Sequence, residues 1–297
     1  MTTFPGLPNQ TQAQANNPLS KFYRQPAIYF VPPSKGKWWT PGALNIPATG
    51  ELAVYPMTSK DEILLRTPDA LMNGQGMVDV IRSCIPDMKD PWRMPSPDVD
   101  ATLIAMRIAS YGHQMDFEGN CPHCGETNTY ALDLRALLSN ITAPDFDQSF
   151  SLDIMNIKFK PQIYFDMNRT NKTNFEIQRL AQSIDALDDS DDKKITEAVV
   201  QMERIVELNY MVLADSTDSI TIMNPDGTEG TIVREKNYIL DFYKNIDAKT
   251  IELIQNAYTD IAQQGTVPPQ STTCSNCTKQ FSMDITFDYA NFFVRGS

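Results

Sequence analysis

Cys121-Pro122-His123-Cys124, running on through Gly125-Glu126 into Thr127-Asn128-Thr129-Tyr130-Ala131-Leu132-Asp133-Leu134, is matched near the chain's end by Cys274-Ser275-Asn276-Cys277. That second pair runs on into Gln280-Phe281-Ser282-Met283-Asp284-Ile285-Thr286-Phe287. Each pair opens into a stretch that reads as a strand, the layout of a zinc knuckle. Together the pairs hold four of the five cysteines, and four thiolates complete a tetrahedral zinc shell. One structural Zn2+ on Cys121, Cys124, Cys274 and Cys277 would clip the C-terminal region to the middle of the chain, closing a long loop by coordination rather than by core size. The long separation permits the clip within one chain, and it also permits two chains to share the metal.

Other uses of these cysteines stay open. Cys-Pro-His-Cys is also the active-site tetrapeptide of one class of thioredoxin-like oxidants. There the first cysteine opens a helix, whereas here the residues after Cys124 alternate as a strand does. Unliganded or disulfide-bonded cysteines are the remaining alternative. His123 reads as a solvent-facing knuckle residue and His113 as an ordinary strand residue. Cys84 follows an apolar helical stretch and reads as a buried free thiol.

The chain has 297 residues, 41% of them apolar, with three tryptophans, enough for one large or two medium cores. Lysine and arginine number 25 against 37 aspartate and glutamate, a formal charge of -12, and no basic cluster exceeds Lys35-Gly36-Lys37. Nothing here would neutralise a row of phosphates, so no nucleic-acid partner is expected. No apolar run approaches the ~18 residues of a membrane span. The start, Met1-Thr2-Thr3-Phe4-Pro5-Gly6, lacks the basic and apolar regions of a secretory signal, and paired reduced cysteines fit folding inside a cell. Catalysis finds little support: there is no G-x-S-x-G, H-E-x-x-H or Walker loop, two histidines cannot readily build a triad, and four thiolates leave a metal no open position. We expect no enzyme and no small-molecule substrate.

The pattern along the chain is α+β: small mixed sheets and helices, with a zinc-ribbon-like subdomain formed by the two knuckles. Residues 1–20 read as a flexible polar arm, 21–145 as an α+β region carrying the first knuckle, 146–265 as a hairpin and helical region, and 266–297 as the second knuckle with a tail packing back on the first. In the first region, Ile28–Trp39 reads as an extended segment with a turn at Pro32-Pro33-Ser34-Lys35-Gly36, and Glu51–Thr58 reads as a strand in which Leu52, Val54 and Pro56 alternate. Thr58 or Ser59 caps a helix with Asp61 and Glu62 in its first turn. Asn73-Gly74 marks a turn before the apolar face of Met77–Ile85, and Asp98 or Asp100 starts a helix reaching Tyr111. In the second, hairpins are expected at Phe150–Lys160, with Ile163–Asp166 following in the same extended style, and at Ser219–Val233. Helices are expected over Asn171–Leu187, Ile195–Leu213, Asn237–Lys244 and Ala248–Ala262. The acidic turn Asp185–Asp192 lacks EF-hand spacing and reads as solvated loop.

The order Pro32-Pro33-Ser34-Lys35-Gly36, then Gly50-Glu51-Leu52-Ala53-Val54-Tyr55-Pro56-Met57-Thr58 with Asp61-Glu62-Ile63-Leu64-Leu65, then Asn73-Gly74 and Val80-Ile81-Arg82-Ser83-Cys84-Ile85, resembles the baseplate hub family of contractile-tailed, T-even-type bacteriophages. The likeness is fullest over residues 28–165. It departs at Val31-Pro32, where the family commonly has leucine, and in the Trp38-Trp39 pair. The resemblance implies a structural or assembly component of the hub, made in the host cytoplasm and, if retained, carried in the virion tail. Its partners would be other tail and baseplate proteins and a second copy of itself. Trp38 and Trp39 are candidate partner contacts, since tryptophan anchors interfaces. So are Phe292 and Phe293 in the apolar tail, which would otherwise dock on the chain's own core. A zinc-ribbon nucleic-acid-binding or transcription-associated protein is the alternative, and a thiol oxidoreductase a third.

Overall fold

The computed structural model describes residues 17–67, 74–185, 192–265, 267, 269–283 and 292–293. The arm up to residue 16, Asn73, the acidic turn at 186–191 and Asp284–Phe287 lie outside the described residues. The fold is α+β, with helices and several small sheets around two apolar cores.

The first core begins with a two-stranded antiparallel ribbon, β1 (Ile28–Phe30) on β2 (Leu52–Val54). Thr58 caps α1 (Ser59–Leu65): its hydroxyl accepts from the Asp61 N–H, and the Asp61 carboxylate accepts from the Thr58 N–H, a complete capping box. Arg24 reinforces this corner from outside, donating to the carbonyls of Pro56 and Ser83. α2 (Gln75–Cys84) buries Met77, Val78, Val80, Ile81 and Cys84. α3 (Ser96–Tyr111) is buried on nearly all sides from Pro97 to Ala109, because small and large apolar residues follow one another without a polar face. It starts at Ser96, ahead of both expected starts, Asp98 and Asp100. Asp98 lies inside the first turn, where its carboxylate is held by Ser34 and Trp39 instead of capping the backbone.

The first knuckle hairpin follows, β3 (Gln114–Asn120) on β4 (Thr127–Asp133). Then α4 (Leu134–Asn140) returns to the core through Leu134 and Leu137.

The second core is built on one antiparallel sheet. β5 (Ser149–Leu152), β6 (Met155–Phe159), β7 (Thr217–Met223) and β8 (Glu229–Val233) lie side by side in that order. Between β6 and β7 the chain makes a helical hairpin, α5 (Tyr164–Asp185) and α6 (Asp192–Asp215). α5 begins seven residues before the expected Asn171, and extended character stops at Ile163, which bridges Pro95. Tyr164 is already helical: its N–H donates to the Met94 carbonyl at 2.7 Å, and Trp92 packs on its ring. α7 (Lys236–Asn245) and α8 (Ala248–Gln263) cover the sheet, burying Ile239, Tyr243, Ile254 and Ile261 beside Ile157, Phe159 and Ile220.

From α8 the chain returns to the first core. Val267, Met283, Phe292 and Phe293 all pack there, and the second knuckle stands on its own hairpin, β9 (Gln270–Thr273) with β10 (Gln280–Met283). Among the described residues, no helix is long and apolar enough to cross a membrane.

Candidate metal centre

Each cysteine pair sits at the tip of its hairpin, and the two tips are built alike. In the first, the Cys121 N–H donates to the Glu126 carbonyl at 2.9 Å and the Gly125 N–H to the Cys121 carbonyl at 2.8 Å. In the second, Cys274 donates to Lys279 and Thr278 to Cys274, both at 3.0 Å. The last of these turn residues lies in the left-handed region in both knuckles, Gly125 at φ 75° and Thr278 at φ 60°.

The tips face each other, and all four Sγ atoms lie within 4.8 Å of one another. Pairing is crosswise: Cys121 Sγ is 3.7 Å from Cys277 Sγ, and Cys124 Sγ is 3.7 Å from Cys274 Sγ. A tetrahedron with metal–sulfur bonds of about 2.3 Å has edges of about 3.8 Å, so the thiols already stand at coordination spacing. A disulfide would bring two sulfurs to about 2.05 Å, and all five cysteines are free.

Backbone N–H groups point at two of the sulfurs. His123 N–H points at Cys121 Sγ (3.4 Å) and Cys277 N–H at Cys274 Sγ (3.5 Å). The Cys277 N–H holds the Cys274 thiol well below its ordinary value, at about 6, with burial opposing and the Asn276 N–H assisting. Cys121 and Cys274 are buried and Cys124 is exposed, so one edge of the cluster meets solvent. The His123 position is exposed, and the cluster consists of the four cysteines.

Packing between the hairpins supports this approach. Gly119 on β3 packs closely against the second hairpin, since a Cβ there would meet Met283 Sδ at 2.8 Å. Tyr130 and Phe281 meet edge to face, centroids 6.0 Å apart. Asn128, an undistinguished strand residue in the sequence, reaches across to Cys274 and Ser275.

The remaining candidates fall elsewhere. Cys84, the last residue of α2, is fully buried, and burial, with the nearby Asp61 charge, pushes its thiol up to about 12. Trp38 is half-buried, edge to face with Phe146 of the second core, and lines a groove of about 860 Å³ whose other walls include Ile28, Ile108, Leu138 and Ile141. Trp39 donates from Nε1 to Asp98 at 2.7 Å. Phe292 and Phe293 are 2% and 5% exposed, and the Phe292 carbonyl accepts from the Arg107 guanidinium, so both are core residues here rather than surface anchors.

Fold and site together define an α+β protein whose two cysteine hairpins converge on one thiol cluster. Residues 42–294 match the family model described as T4 bacteriophage base plate protein, and the chain belongs to that family. The match spans both knuckles and begins after Trp38-Trp39. No curated protein and no solved structure matches the chain. Membership makes this a T4-type baseplate protein, with the virion tail as its place and other phage tail proteins as its neighbours.

Proposed function

We propose that the chain is a structural or assembly component of the baseplate hub, made in the host cytoplasm, acting through protein–protein contacts and stapled by a single structural zinc. The observation that carries the metal is the crosswise approach of four thiols from two separate hairpins. An all-sulfur, four-coordinate set suits zinc and fills its shell, so the ion would hold the fold together and leave no position for a substrate. Cys121, Cys124, Cys274 and Cys277 are its ligands, and catalysis plays no part in this reading.

Contact with neighbouring tail proteins would fall on Leu19–Val31, the segment that runs into and just past β1. Leu19, Phe22, Tyr29 and Val31 are 61%, 73%, 60% and 46% exposed there, and Tyr29 and Val31 open onto the groove that Trp38 lines. Apolar side chains gathered like this mark an interaction surface. The experiment has two arms. Native mass spectrometry of the purified chain, with and without chelator and on Cys274→Ser, should show one zinc per chain that the mutant loses; a metal-free wild type with readily alkylated Cys121 would overturn the staple. Gold-labelling a tagged copy in tails and assembly intermediates should mark the baseplate centre, and label confined to the baseplate periphery would overturn the hub.

A further inference from the structure

Asn128 belongs to the first hairpin but fastens it to the second. Its neighbours Thr127 and Thr129 face solvent, while Asn128 is 7% exposed on the inward side of β4, where an apolar residue would be ordinary. A buried amide is costly unless its groups are all met. Here they are: Nδ2 donates to the Glu126 carbonyl at 3.0 Å and to Cys274 Sγ at 3.5 Å. Oδ1 accepts from the Ser275 N–H at 3.3 Å and from the Ser275 hydroxyl. The orientation of the amide is fixed, because the Glu126 carbonyl can only accept and the Ser275 N–H can only donate. Glu126 is the residue whose carbonyl closes the first knuckle by accepting from Cys121. One side chain thus ties the turn of one knuckle to a ligand of the other.

We propose that Asn128 is the positioning residue of the metal centre: it sets the register of the second knuckle on the first and, through its Nδ2–H, draws electron density from the Cys274 sulfur. This rests on the reading of the four thiols as a metal site. No other uncharged side chain but an amide offers two donors and two acceptor lone pairs in one plane. A carboxylate could hold Ser275 but not donate to sulfur, and would set a negative charge beside the thiolates.

Co2+ added to the full chain tests this, with wild type, Asn128→Ala and Ser275→Ala compared. The wild type should bind one Co2+ per monomer, with the visible bands of tetrahedral thiolate coordination. Asn128→Ala should weaken binding by ~10–100-fold, as loss of an outer-shell partner does. It should also shift the sulfur-to-cobalt charge-transfer band to lower energy and speed alkylation of Cys274, and of that cysteine alone, in the loaded protein. Ser275→Ala keeps the Nδ2 donor and should leave the band in place. Should Asn128→Ala not fold, the near-isosteric Asn128→Leu is read the same way. A band position and Cys274 alkylation rate unchanged in the Asn128 variants, or an equal shift in Ser275→Ala, overturns the proposal. A wild type that takes up no Co2+ at the four cysteines overturns the metal reading beneath it as well.

Discussion

Thr278 stands in the second knuckle where Gly125 stands in the first: each follows the second cysteine of its pair and donates its N–H to the carbonyl of the first. Both are left-handed, at φ 60° and 75°. Glycine takes that conformation freely, whereas a β-branched residue is strained there by about 1–2 kcal/mol. Thr278→Gly should therefore stabilise the second hairpin, by no more than about 1 kcal/mol once the extra freedom of the unfolded glycine is subtracted. Gly125→Thr should cost about 1–2 kcal/mol by the same argument. Competition between the protein and a chelator for added zinc reads both; tighter binding in Gly125→Thr, or weaker in Thr278→Gly, would show that the two turns are not equivalent.

Asp98 gives the fold a pH dependence of definite sign. Burial raises its carboxyl pKa, with the Ser34 hydroxyl and N–H and the Trp39 indole pulling the other way. The folded value lies above the unfolded one, so the native state keeps the proton longer. This group's contribution is therefore greatest below the unfolded pKa of about 3.9 and declines as pH rises through the folded value. Urea midpoints of the wild type should show that slope above about pH 4, and Asp98→Asn, which cannot titrate, should lack it. Asn also leaves one of three donors without an acceptor and should cost about 1–3 kcal/mol at neutral pH. Parallel pH profiles for the two proteins would remove Asp98 as the source.

Local signals carried much of this fold. The alternation of Ile157 with Phe159, the threonine before Asp61-Glu62, and the spacing of each cysteine pair are all short-range, and each has its counterpart in the structure. What escaped depends on residues far apart. Asp98 has the look of a helix cap until Ser34 and Trp39, some sixty residues earlier, claim its oxygens. Asn128 between two threonines looks like any solvated strand residue, and only the second knuckle gives its amide something to hold. β9 is Gln-Ser-Thr-Thr, too polar to announce a strand, and forms because β10 offers it a ladder. Tyr164 reads as extended because the Met94 carbonyl and Trp92 that start its helix belong to another part of the chain.

Gly119 lets β3 pack closely against the second hairpin. A Cβ there meets the far end of a flexible side chain, Met283 Sδ, so Gly119→Ala should be tolerated with a modest loss of zinc affinity, on the order of 1 kcal/mol. Gly119→Val should force the hairpins apart and cost about 1–3 kcal/mol. The double variant with Met283→Ala should recover part of the Gly119→Val loss, since the obstruction is that one side chain. Additive losses in such a cycle would mean that the two residues do not press on each other.

Phe292 ties the last described residues to α3, its ring buried beside Phe293 and its carbonyl accepting from Arg107. Phe292 follows the second knuckle in the sequence, so a metal at the cysteines and the phenylalanine anchor would secure the two ends of one short stretch. Phe292→Ala should destabilise the first core by about 3–5 kcal/mol, the range for truncating a buried aromatic. Removing the metal should act differently, loosening β9 and β10 first and leaving the interior of α3 protected. Amide hydrogen exchange separates the two. Chelation should raise exchange at Gln270–Met283 with little change at Leu103–Ile108, and Phe292→Ala should raise it in α3 even with the metal bound. If chelation instead unprotects α3 and the second hairpin to the same extent, the metal is holding the whole first core and not merely the clip.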